Sequence, residues 1–294
     1  MTTLEAARHP TAVPAPAPSS RAAWVRRSWV YVLLVLGLLI TVVPFLWMLL
    51  GSIKTQQELV QQPPTWLPAN PTFDNYSRMW SKLDFPRFFL NSAVIASLIT
   101  LSNLIFTSMV GYALAKLRFF GRDKLFLLVL GTLLVPTSVT IVPLFVLIAK
   151  LGLVDTYWAV ILPAAAAPVG VFLMRQFMLS IPDDLIEAGR VDGASEFFIF
   201  WRIVMPLSVP ALAANAIITF LPAWNALLWP LVVLQSQEKY TLPVALAIFS
   251  RGQFQADYGL LMAGSVVLVL PVIGLFLILQ KRFTQSVAMT GIKG

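Results

Sequence analysis

The residue types that could do chemistry gather in one polar stretch between Ser180 and Pro206, reading SIPDDLIEAGRVDGASEFFIFWRIVMP. Its carboxylates have no histidine or cysteine to work with. The chain has no Cys, and its one His is His9, far away near the N-terminus. A Ser-His-Asp triad, a thiolate nucleophile and a histidine or thiolate metal cluster are therefore excluded within it. What such a stretch can do is bind. Ser180 with Asp183 matches a capping box and Pro182 suits a first helical turn, which predicts a short helix to about Val191. Gly193 supplies the permissive backbone for a turn. A second helix follows, capped by Ser195, with Phe197, Phe200, Trp201 and Val204 at helical spacing. Pro206 and Pro210 then break the pattern. Two short helices in an L, charged on one side and aromatic on the other, suit a groove on a partner protein. They suit a place flat on lipid headgroups equally well.

The elements that must hold this stretch are strongly apolar. The 294 residues are 58% hydrophobic and 12% charged, against about 45–50% and roughly 25% in soluble domains. Disorder over most of the length and an ordinary soluble enzyme are excluded, and a membrane protein remains. A helix crosses about 30 Å of hydrocarbon with roughly 20 apolar residues. Six stretches qualify: 29–50, 88–114, 125–149, 157–179, 207–234 and 258–279. The predicted fold class is thus an all-α polytopic membrane protein with six transmembrane helices. Residues 1–28, with Pro14, Pro16 and Pro18, read as a flexible cytoplasmic tail, and 281–294 as a second one. Arg26 and Arg27 read as the positive flank of a first span, not as part of an export signal. Prolines fall inside three spans: Pro136 and Pro143, Pro163 and Pro168, Pro222 and Pro230. In lipid, the carbonyls they free must find partners on neighbours or water, so kinked, mutually packed helices around a pathway are expected.

The net charge of +8 takes its meaning from position. With the N-terminus inside, fourteen of the 21 Lys and Arg fall on inner segments and seven on outer ones. Both termini are then expected in the cytoplasm, and no nucleic-acid partner is implied. No ionisable residue lies deep in a span, which argues against an ion-coupled pump and weakly favours a neutral cargo. The spans show no evident inverted repeat, so a self-contained secondary transporter has little support.

Glu187-Ala188-Gly189, then Asp192-Gly193-Ala194, then Ile203 and Pro206 resemble the EAA signature of permease subunits of bacterial ABC importers, with Gly189 standing where the third alanine would be. The resemblance extends over the chain after about residue 28. Phe73-Asp74-Asn75-Tyr76, Trp224-Asn225, Leu228-Trp229-Pro230, Tyr240-Thr241-Leu242-Pro243 and the Thr290 to Gly294 ending are similar to the carbohydrate-uptake, maltose-type branch. Ser286-Val287 departs from that branch's usual glycine–leucine. The chain most resembles the shorter, six-span permease of the pair.

The resemblance implies a type I importer permease of the bacterial inner membrane that works beside a second permease subunit. The other implied partners are an ATPase dimer and an extracytoplasmic solute-binding protein. No G-x-x-x-x-G-K-[ST] loop occurs in the chain. It is therefore expected to be no enzyme and to bind no cofactor, with ATP and Mg on the partner ATPase. Glu187, Ala188, Gly189, Asp192, Gly193 and Ala194 would couple to that ATPase: Glu187 by a charged contact, the small residues by close approach, Asp192 and Gly193 by forming the turn. Ser250, Arg251, Gly252, Gln253 and Phe254 occupy the place of the loop that probes the binding protein, although a plain exposed turn would look alike. For cargo, the polar candidates in the spans are Asn103, Thr107, Thr137, Ser138, Asn215 and Asn225, with Trp224 as a stacking surface. Such residues commonly tie helices together instead. A self-contained channel or facilitator is the alternative, and it leaves the Glu187 to Pro206 stretch unexplained. An intramembrane enzyme lacks any acid–base or metal cluster in its spans.

Overall fold

Apolar chain in a medium without water must close its own backbone hydrogen bonds. In the computed structural model, the described residues, 20–82, 84–250 and 257–290, do so as helices, and no strand occurs among them. The chain forms two units, Met1–Trp47 and Met48–Gly294. The described part of the first belongs to α1 (Ser20–Ser52), an apolar helix whose Trp29, Leu33, Leu34 and Ile40 are all exposed.

In the second unit, α2 (Gln56–Val60) and α3 (Asp74–Lys82) are short, and α4 (Phe85–Lys116) is long. The predicted third span is two helices, α5 (Arg122–Thr132) and α6 (Thr137–Lys150), bent by 101° at the break before Pro136. That is far more than a kink. The residue before a proline is driven out of the α region, and Pro136 itself sits in extended backbone as the N-cap of α6. The fourth stretch holds α7 (Tyr157–Ala164) and α8 (Pro168–Leu179), together long enough to cross a membrane. After it come α9 (Asp183–Val191) and α10 (Glu196–Ile199), a π-helical turn (Phe200–Val204), α11 (Met205–Leu207) and α12 (Val209–Trp224). The run from Glu196 to Leu207 meets α12 at 80°, and Pro206 and Pro210 flank that corner. The predicted fifth span of 207–234 does not run as one helix. It ends at Trp224, and α13 (Leu228–Val233) follows a break. A 3₁₀ turn (Gln237–Lys239), α14 (Leu242–Phe249) and α15 (Tyr258–Thr290) complete the chain. Among the described residues, four helices are long and apolar enough to span, or up to six if each bent pair is one span.

The unit is assembled on α4. At one end, Tyr112 packs with Met174 and Met178 of α8 and with Ile186, Ile199, Phe200 and Val204 of the polar stretch. At the other, Phe85 and Phe88 pack with Met79, Leu242, Leu246 and Leu260. Between them, α4 and α8 cross closely because two glycines leave room. A Cβ on Gly111 would stand 2.8 Å from Met174 Cβ, and one on Gly170 would stand 2.7 Å from Asn103 Oδ1.

Candidate functional site

The two short helices predicted between Ser180 and Pro206 are present, and the corner between them is a complete Schellman turn. Gly193 has φ +80°; its N–H donates to the Arg190 carbonyl at 3.0 Å, and the Ala194 N–H to the Gly189 carbonyl at 2.9 Å. The second arm begins at Ser195, whose hydroxyl accepts from the Phe198 N–H. The predicted Ser180–Asp183 capping box does not form. Ser180 instead closes α8, donating its hydroxyl to the Phe177 carbonyl at 2.7 Å, while Pro182 is the N-cap of α9 with no side-chain cap. Ahead of Pro206 the helix widens into the π turn, where the Met205 N–H reaches back to the Phe200 carbonyl. A proline ring crowds the carbonyl four residues before it, and a wider turn relieves that contact.

The six coupling candidates separate into two faces. Glu187, Ala188, Asp192 and Gly193 are exposed, together with Val191 at 87%. Gly189 is buried: a Cβ there would stand 3.2 Å from both Ile199 Cγ1 and Ile203 Cδ1. Its small size therefore serves the approach of the two arms to each other and not the approach of a partner. Ala194 is half-buried beside it, against the same core. The exposed face also carries Leu185, Phe197 and Phe198, an apolar surface next to charge of the kind that marks protein or membrane contact.

Side chains that the sequence reading passed over hold the L to α4. Lys116 Nζ donates to the Ile181 carbonyl and to Asp183 Oδ1, each at 2.6 Å. The Lys116 ammonium beside it holds the Asp183 carboxyl below the usual carboxylate range. Tyr112 donates its hydroxyl to Glu196 Oε2 at 2.6 Å, and Arg190 Nε donates to Glu196 Oε1 at 2.6 Å. That hydrogen bond raises the Arg190 pKa further. The one available sequence signal was the four-residue spacing of Tyr112 and Lys116, which places both on one helix face.

The cargo candidates scatter. Asn103, Thr107 and Asn215 are wholly buried, and their hydrogen bonds link α4 to α7 and α12. Asn103 Nδ2 donates to the Ala164 carbonyl at 3.3 Å. That carbonyl ends α7 and has no amide four residues on, because the residue there is Pro168. Asn215 Nδ2 donates to Thr107 Oγ1 at 3.0 Å. Trp224 is also buried, its indole N–H on the Leu268 carbonyl at 2.8 Å and its ring stacked on Phe220. Thr137, Ser138 and Asn225 are exposed. Of the loop expected to meet the binding protein, Ser250 is buried, and its carbonyl accepts from the Asp257 N–H at 2.6 Å; Arg251, Gly252, Gln253 and Phe254 lie outside the described residues.

With this geometry in hand, comparison with known proteins is specific. Residues 107–289 match the family described as binding-protein-dependent transport system inner membrane component. The chain is 42% identical over 258 residues to an arabinooligosaccharides transport system permease protein of Halalkalibacterium halodurans, covering 87% of this chain and 92% of the relative. It is 34% identical over 261 residues to a diacetylchitobiose uptake system permease protein of Streptomyces coelicolor, covering 88% and 86%. Its fold superposes with a TM-score of 0.79 on a chain of a bacterial ABC transporter involved in the import of alginate, with 26% identity over 92% of this chain and all of the other. The chain belongs to the binding-protein-dependent transport family and is a multi-pass permease subunit of an ABC importer.

Proposed function

We propose that this permease imports a carbohydrate, or a related small polar solute, by alternating access driven by a partner ATPase dimer that carries the ATP and Mg. The observation that carries the reading is the two-faced L. Its inner face is closed against α4 and α8, while Glu187, Ala188 and Val191 stand outward on a short helix pair. A surface built to be rigid from behind and open in front suits a docking element. Headgroup contact alone would need no such backing. In this reading the L lies in the cytoplasm, as do both termini, consistent with the excess of Lys and Arg on that side. The membrane is the bacterial inner membrane, a second permease subunit completes the pathway, and a solute-binding protein delivers cargo from outside. The relatives named above handle oligosaccharides, which supports a carbohydrate cargo.

The test is isolation through a tag on this chain in mild detergent. An ATPase and a second permease should copurify, and Glu187→Lys should lower ATPase recovery or uptake at least tenfold. Purification of the chain alone, or a Glu187→Lys variant that transports like the parent, refutes the assignment and favours a self-contained channel.

A further inference from the structure

The last two turns of α4 hold the L at both ends of α9. Lys116, whose side chain is only 4% exposed, binds the entry to α9 through the Ile181 carbonyl and Asp183. Tyr112, 4% exposed, binds the exit through Glu196, which is at once the first residue of α10 and the acceptor for Arg190 in the last turn of α9. One carboxylate thus joins three elements, using one oxygen for each donor. The Tyr112 ring also packs on Phe200 in the π turn, with centroids 5.4 Å apart. Further along the same helix, Thr107 accepts from Asn215 of α12, and Asn103 donates to the end of α7.

As a stabilising contact, one of these bonds is oddly placed. The Arg190–Glu196 pair is 41% and 45% exposed, and exposed ion pairs add little stability. A fixed geometry between two elements is what the arrangement does supply. Building on the docking function proposed above, we propose that Tyr112 and Lys116 are positioning residues. They form a two-point linkage, with Glu196 as shared acceptor, through which displacement of the L is passed to α4 and so to the membrane helices. With both attachments made, the L and α4 move as one body. With both removed, the L can follow the ATPase while α4 stays behind.

The absence of native cysteine allows a direct test. Asp184→Cys on the L and Leu98→Cys on α4, both exposed, are spin-labelled in the full importer isolated from its own membrane. Distances are measured without nucleotide and with ATP and vanadate. With Tyr112 and Lys116 intact, one narrow distribution should persist in both states. In Tyr112→Phe with Lys116→Met, the distribution should broaden or split on adding ATP and vanadate, while ATPase recovery and the unfolding midpoint stay close to the intact pair's. Tyr112→Phe keeps the ring on Phe200 and removes only the hydroxyl. A distance that shifts with nucleotide in the intact importer, or a double variant that stays equally narrow, overturns the linkage. Loss of ATPase recovery in the double variant also overturns it, since the residues would then serve folding of the L. An intact chain that recruits no ATPase overturns the function reading first.

Discussion

Trp229 of α13 supplies the backbone hydrogen bond that Pro163 removes from α7. Pro163 lies inside α7 and has no amide hydrogen, so the Ala159 carbonyl four residues earlier loses its helical partner. Ala159 is completely buried, and its carbonyl accepts from the Trp229 indole N–H at 3.0 Å. Trp229→Phe keeps most of the ring and strands that carbonyl. An unsatisfied buried acceptor costs roughly 1–3 kcal/mol, and measured coupling between membrane helices averages about 0.6 and reaches about 1.7 kcal/mol. Pro163→Ala restores an amide where a helical backbone already points it at Ala159. In that background Trp229→Phe should lose only the smaller packing contribution. Denaturant unfolding of the four proteins of this cycle should therefore give a coupling energy of about 1 kcal/mol. The packing loss is common to both backgrounds and cancels. Additivity within about 0.3 kcal/mol would refute the pairing of proline-freed carbonyl and side-chain donor.

Gly111→Ala places a Cβ 2.8 Å from Met174 Cβ and 3.0 Å from the Arg175 backbone nitrogen. No rotamer relieves that, so the variant should unfold with about 1–2 kcal/mol less stability, whereas Gly131→Ala, whose Cβ meets nothing within 4 Å, should match or slightly exceed the parent. For Asp155, burial pushes the carboxyl up, but donation from Lys239, the Ser236 hydroxyl and the Ser236 and Gln235 amides outweighs it and holds the group well below the usual range. A lowered folded pKa means the contribution is full above about pH 4 and fades as pH falls further. The stability gap between parent and Asp155→Asn, followed by thermal unfolding, should be flat from about pH 5 to 9 and close in acid. A gap that widened in acid would contradict that sign.

Much of the architecture is legible in the residues, because apolar runs and helix stops are local. Gly193 and Ser195 mark the corner of the L as their types require. Ser180 misleads because α8 ends immediately before α9 begins, and its hydroxyl goes to the nearer orphan, the Phe177 carbonyl. Prolines announce a broken ladder but not its angle: Pro136 accompanies a 101° bend, while Pro163 leaves α7 helical. Gly189 reads as one small residue of a motif, and only the fold shows Ile199 and Ile203 against it. The Tyr112–Glu196 bond spans 84 positions in sequence, and neither residue has a local pattern that names the other.

Prolines in and after α7 also fix what its neighbours must supply. A proline in a helix frees a carbonyl whose position can be read directly, but the donor that answers it comes from elsewhere in the fold. Asn103 answers Ala164 and Trp229 answers Ala159. Trp224 donates to the Leu268 carbonyl, which no proline frees, since Val272 stands four residues on. Asn225, although exposed, turns its amide back to the Leu221 carbonyl. Each of these four commits its N–H donor to backbone, while the buried Asn103 Oδ1 has no hydrogen-bond partner. The cleft beside them, about 460 Å³, is lined by Ile99, Val160, Ala164, Gly170, Pro222 and Trp229, with Thr219 as its one hydroxyl. Asn103 and Trp229 thus give the α7 carbonyls that Pro163 and Pro168 leave open the partners that lipid would not supply.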